Sequence, residues 1–206
     1  MSITTYTALK TAIADFLNRD DLTSIIPTFI SLAESQMQRE IRHHRMVKRS
    51  DGQIDSRYSP VPTTWLETIR LHIVGNDSYR LELTSLDDML QLRENTAGIA
   101  GRPTHYAHIG ENIEVFPNPD GEYDIEMLYY EKIPALSDSN ASNWLLEVAP
   151  DAYLYGALVQ AAPYLQDDAR MQVWGGLYAG AVAGVNTEAE RARFGGSSVR
   201  LRIRSY

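Results

Sequence analysis

The chain has 206 residues, enough for one domain with an insertion, and sets 19 basic against 27 acidic side chains for a net charge of −8. It has no cysteine, which excludes disulfides, thiolate nucleophiles and thiolate metal sites, and fits a reducing birthplace. No signal-peptide pattern opens the chain, and its longest nearly uncharged run, 173–186, is too short and glycine-rich to span a bilayer, so a soluble protein without a membrane anchor is expected.

The N-terminal third has helical periodicity. Tyr6, Leu9, Ile13, Phe16 and Leu17 fall on one face of a helix predicted from about Thr5 to Asn18. A turn at Asn18 to Asp21 follows. Ile26, Ile30, Ala33, Met37 and Ile41 mark a second helix, with Pro27 near its start, where a missing N–H costs little. The short link makes the two helices antiparallel neighbours. Arg39, Arg42, Arg45, Lys48 and Arg49 form a weak basic patch, diluted by Glu40 and Asp51, that reads as a solvated helix end.

From Met46 to Ile133 the period changes. Trp65 to Val74 and the alternating Tyr79 to Leu83 read as strands about the turn Gly75-Asn76-Asp77-Ser78. Thr84-Ser85 begins a short helix, Leu86 to Arg93, with Asp87 and Asp88 in its first turn. Pro103 to Ile109 and Ile113 to Phe116 flank the hairpin turn Gly110-Glu111-Asn112, and Tyr123 to Tyr130 is a further strand. A small, mostly antiparallel sheet of five or six strands is expected.

Pro134 to Asn143 is a polar loop. Helical signal returns with Pro150 at a start and Ala152, Tyr155, Leu158, Val159 and Ala162 as its buried stripe. Pro163 is expected to break or kink this helix, and Asp167 and Asp168 to restart it through Trp174, Tyr178 and Val182 towards Phe194. The fold class is α+β: an antiparallel helical bundle from the N- and C-terminal segments, an inserted, mostly antiparallel β domain, and an extended C-terminal arm. The expected divisions are a helix pair at 1–45, the β domain at 46–133, a loop at 134–144, bundle-completing helices at 145–194, and a hinge and basic arm at 195–206.

The arm is the most informative segment. Gly195-Gly196-Ser197-Ser198 has the composition of a flexible hinge, after which Val199, Leu201 and Ile203 alternate with Arg200, Arg202 and Arg204 before the terminal Ser205-Tyr206. A period of two describes a strand with one apolar and one cationic edge, which gains stability only by joining a sheet. Residues 191–206 hold five arginines and no acid, so the other 14 basic residues face all 27 acids and the body carries −13. Such a body repels nucleic acid at long range.

Gly176, Gly180 and Gly184 repeat every four residues on one helix face, beside Trp174 and Tyr178. Each glycine costs about 1 kcal/mol of helix propensity, which close packing would offset, either against another helix of the chain or at a subunit interface. Of the five histidines only His105 and His108 have a possible ligand spacing, and on a strand they face opposite ways, so no metal is expected. No nucleophile motif, phosphate loop or dinucleotide fingerprint occurs, so neither enzyme nor cofactor is expected.

Tyr153-Leu154-Tyr155-Gly156-Ala157-Leu158, Ala161-Ala162-Pro163-Tyr164-Leu165, Asp167-Asp168, Trp174 and Tyr178 resemble the head-to-tail adaptor (connector) proteins of tailed bacteriophages, the tail tubular protein A-like family. The layout agrees, with a second helix running into Gln38-Arg39-Glu40-Ile41-Arg42 and a β insertion opening near Pro62-Thr63-Thr64-Trp65-Leu66. The resemblance implies a structural protein of the virion, made in the host bacterial cytoplasm and placed at the head–tail junction. It implies a homo-oligomeric ring, commonly of twelve copies, on the portal protein ring, with a downstream tail or nozzle protein below. Genomic DNA would pass through the lumen without specific binding. C-terminal tails of this family insert between portal subunits, which gives Val199, Arg200, Leu201, Arg202, Ile203, Arg204 and Tyr206 a portal-binding role. The alternative is a nucleic-acid-binding module acting through the arginine tail; it predicts strongly salt-sensitive DNA binding, and the −13 body opposes it.

Overall fold

The structure is a computed structural model that describes residues 3–19, 21–96, 99–165 and 168–194. The hinge and arm, 195–206, lie outside the described residues. In chain order the elements are α1 (Tyr6–Leu17), α2 (Ile26–Glu40), β1 (Val47–Ile54), β2 (Tyr58–Pro60), β3 (Trp65–Ile73), β4 (Tyr79–Arg80), β5 (Glu82–Leu83) and α3 (Leu86–Asn95). There follow β6 (His105–Ile109), β7 (Asn112–Phe116), β8 (Tyr123–Glu131), α4 (Trp144–Val148), α5 (Pro150–Leu165) and α6 (Asp168–Phe194). The class is α+β. The chain divides into two compact units, Met1–Arg45 with Ile133–Tyr206, and Met46–Lys132.

In the first unit α1 is fixed at both ends by its sequence. The Thr5 hydroxyl accepts from the Ala8 N–H at 3.2 Å, and Asn18 closes the helix in the left-handed region at φ 51°. Leu9, Ile13 and Leu17 are buried as their spacing predicts, whereas Phe16, assigned to the same face, is 50% exposed. Pro27 sits in the first turn of α2, whose Ile26, Phe29, Ile30, Ala33 and Met37 are buried. Helix α5 packs against α1, α2, α4 and α6, and Tyr153, Ala157, Leu158 and Ala161 are buried there. The five-residue α4, unforeseen in the sequence, is capped by Asn143, whose Oδ1 accepts from the Leu146 N–H at 2.9 Å. Pro163 does not interrupt the helix where it stands; α5 runs on to Leu165.

The second unit holds two four-stranded sheets where one of five or six strands was expected. The first has the order β1-β8-β3-β4, all antiparallel, with β1 in unbroken register from Val47↔Tyr130 to Ile54↔Tyr123. The second has the order β2-β7-β6-β5, antiparallel except for the parallel pair β5 and β6. The predicted strand Tyr79 to Leu83 is split between them at Leu81. The Leu81 N–H donates to the Leu71 carbonyl at 2.9 Å, towards the first sheet, and the Glu82 N–H to the Thr104 carbonyl at 2.9 Å, towards the second. Apolar side chains of both sheets, among them Ile54, Leu71, Tyr106, Val115 and Met127, form one core, and Met89 of α3 packs with Ala107 and Phe116 in a smaller one. The hairpin β6–β7 turns at Gly110, whose φ of 58° suits glycine.

Candidate interaction surfaces

Helix α6 carries the residues singled out by their spacing, and it separates them. Trp174, Tyr178, Val182, Val185 and Ala189 are buried, following the helical period along one side. The Tyr178 hydroxyl donates to Glu40 Oε2 of α2 at 2.7 Å, and burial together with that carboxylate raises the phenol pKa. Asn186 joins the same helices from the end, accepting from the Arg42 N–H at 3.1 Å and donating to the Glu40 carbonyl at 3.1 Å.

Gly176, Gly180 and Gly184 lie on the exposed side of α6. Among the described residues a Cβ built on any of the three meets nothing within 4 Å, so these glycines are not required by close packing of a described helix. They line an open groove of about 450 Å³ with Ala149, Tyr155 and Leu177. The glycine that does permit close approach is Gly156 of α5, whose Cβ would meet the Tyr178 ring at 3.1 Å and Ala33 Cβ at 3.2 Å. It stands within the Tyr-Gly-Ala run quoted for the resemblance, but no period marks it.

A polar network ties the loop after Ile133 to α2 and α5. Glu34 Oε1 accepts from the Leu136 N–H at 2.7 Å and from the Tyr153 hydroxyl at 3.3 Å, and Asn143 Nδ2 donates to the Tyr153 oxygen at 2.7 Å. Burial raises the pKa of Glu34 above its ordinary value and that of Tyr153 further. Nearby, His43 is fully buried and stacks on Trp144, ring centres 5.0 Å apart. Its Nδ1 accepts from the Arg45 N–H at 3.2 Å, and desolvation lowers its pKa.

In the β unit Glu114, buried on β7, receives two guanidinium groups, Arg57 at 2.7 Å and Arg93 of α3 at 2.9 Å. Arg93 also donates to Asn118 Oδ1 and the Val115 carbonyl, both at 2.7 Å. These contacts pin α3 to the second sheet, and the charged triad is a structural clamp. His105 pairs with Glu82 at 3.5 Å, while His108 packs against Trp65 and Tyr106. Among the described residues no three His, Cys, Asp or Glu side chains gather as a metal site, and no helix is long and apolar enough to cross a membrane.

The fold is α+β, and the residues singled out on α6 divide between a buried face and an exposed glycine face. The SU10 adaptor protein family matches residues 4–202, and the chain belongs to that family of structural phage adaptors, which is not an enzyme family. No curated protein matches the chain.

Proposed function

We propose that this adaptor forms a ring beneath the portal, extends the DNA channel and gives the tail its attachment platform, in the manner of the tail tubular A-type connectors. The observation that carries the reading is the family match, which spans both structural units and reaches into the arm. Helices α1, α2, α5 and α6 would form the bundle of each subunit, and the open glycine face of α6 would pack on the next copy. Residues 199–206 would grip the portal, with Val199, Leu201 and Ile203 towards its apolar surface and Arg200, Arg202, Arg204 towards its acids. One such strand binds weakly, but in a ring each docked arm raises the effective concentration of the next. The −13 body lowers sticking of the passing genome. The loops at Gly75-Asn76-Asp77 and Pro117-Asn118-Pro119 are candidate contacts for the next tail protein.

The test is native mass of the protein mixed with its cognate portal ring, as the full chain and as residues 1–195. Multi-copy addition by the full chain and none by the truncated one is expected. Normal docking of 1–195 would remove the arm from the account, and no docking by the full chain would remove the adaptor reading.

A further inference from the structure

Helix α3 turns an apolar face with an acidic margin to solvent. At about 100° per residue, Leu86, Leu90, Glu94 and Asp87 follow one another around the helix within one sector. Leu86 and Leu90 are 50% and 56% exposed, and Leu83, which ends the strand leading into the helix, is 57% exposed. Asp87, Asp88 and Glu94 are exposed with them. Scattered single leucines on a surface need no explanation, but three around one helix start form a patch. Arg93, the basic residue of α3, is taken up by Glu114, so no cation of the helix answers its acids.

The loops at 75–77 and 117–119 are tied to this helix by contacts within the β unit. Arg93 donates to Asn118 Oδ1 at 2.7 Å, which joins α3 to Pro117-Asn118-Pro119. The Asn118 carbonyl accepts from the Gly101 N–H at 2.8 Å, and Arg102 next to it pairs with Asp77 at 3.7 Å. Ile99, 66% exposed, lies between α3 and that contact in the chain. One run of contacts therefore links the α3 face to both loops, and exposed Asp77 and Asp120 extend its acidic character.

We propose that the α3 face, with Leu83, is the docking surface for the next tail protein, and that the segment it takes carries apolar side chains flanked by lysine or arginine. Those apolar side chains cover Leu83, Leu86 and Leu90, and the flanking cations pair with Asp87 and Glu94 at the rim. Charge selects a different protein over a second copy, because the body of this chain carries −13 and two such surfaces repel. The Glu114 clamp holds α3 on the second sheet before anything docks, so binding does not have to order the helix. The inference rests on the adaptor reading, which supplies a tail protein below the ring.

The test titrates the cognate tail protein onto this protein, both free and docked on the portal. Leu86→Ser with Leu90→Ser removes the apolar centre, and Asp87→Asn with Glu94→Gln removes the charge while keeping the shape. All four positions are exposed and outside the clamp, so thermal melts should match the parent chain. Tail-protein affinity should fall at least about tenfold in the leucine variant and about threefold in the neutral one, with portal docking unchanged. Raising salt from about 0.05 to 0.5 M should weaken binding by the parent chain and leave the neutral variant nearly flat. Parent-like tail binding by the leucine variant, equal salt slopes for the parent and neutral chains, or no tail binding by the parent would each overturn the inference. So would variants that lose self-association while keeping tail binding. Patch-dependent tail binding by a chain that never docks on the portal would keep this inference and remove the ring-on-portal reading.

Discussion

The Tyr178 ring of α6 lies 3.1 Å from where a Cβ on Gly156 of α5 would stand, with Ala33 of α2 at 3.2 Å on the same side. Gly156 is therefore a point at which three helices converge, and a methyl group there requires the Tyr178 ring and Ala33 to give way by a few tenths of an ångström. Gly156→Ala is expected to cost about 1–3 kcal/mol, because an overpacked core relaxes only by shifting side chains or backbone. Urea denaturation reads this directly; an unchanged midpoint would show that Tyr178 yields freely.

The glycines of α6 predict the opposite sign. Added methyl groups at Gly176, Gly180 and Gly184 meet nothing, so alanine there should gain up to about 1 kcal/mol of helix propensity at each site. If the exposed face packs on a neighbouring subunit, the same variants assemble poorly on the portal while their monomers melt at higher temperature. Undiminished assembly would release this face from the subunit contact.

The Glu114 clamp makes unequal demands on its two arginines. Glu114→Ala leaves a guanidinium without its counter-charge in a site where Arg93 is 14% exposed, and a loss of about 3 kcal/mol is expected. Arg57 is 43% exposed and its ion pair is screened by water, so Arg57→Ala should cost under about 1 kcal/mol. Equal losses in denaturant titrations would contradict this division.

His43 sets an acid limit on the helical unit. Burial above all, then the nearby charge of His44 and to a lesser degree that of Arg45, holds its pKa below the ordinary 6.5 against the opposing pull of Glu188. The unfolded chain then binds the proton more readily than the folded one, so stability is lost as pH falls below about 6.5. His43→Phe keeps the stack on Trp144 and should flatten that slope in thermal melts between pH 7 and 5. Glu34 has the reverse sign. Its raised pKa makes stability fall as pH rises from its ordinary value of 4.5, and Glu34→Gln should remove that decline.

The elements legible in the sequence are those with punctuation of their own. Thr5 and Asn18 bound α1, Pro27 opens α2, Ser85 caps α3 and Gly110 turns the hairpin, and each lies within a residue or two of its predicted place. Strand β1 was missed because it is an edge: Lys48, Arg49, Asp51 and Gln53 are exposed and only Ile54 is buried, so no alternation marks it. Helix α4 is shorter than two turns and looks like the end of a loop. The split at Leu81 is invisible along the chain, because periodicity gives the face of a strand and never its neighbour. The same holds for the glycines. A repeat of four draws attention to α6, while the glycine in closest contact, Gly156, is defined only by what lies across from it.

The helical unit is assembled from two stretches of chain that synthesis keeps far apart. Helices α1 and α2 find their partner in α5, after the whole β unit, and the Tyr6 N–H meets the Ala141 carbonyl at 2.6 Å. A ribosome that has made only the first half of this protein therefore holds two amphipathic helices with nothing to cover them. Closing so long a loop slows folding, and a β unit that folds on emergence shortens the span to be searched. Premature termination before α5 would yield not a smaller adaptor but a chain with an orphaned apolar face, fit for chaperones and proteases rather than for a virion.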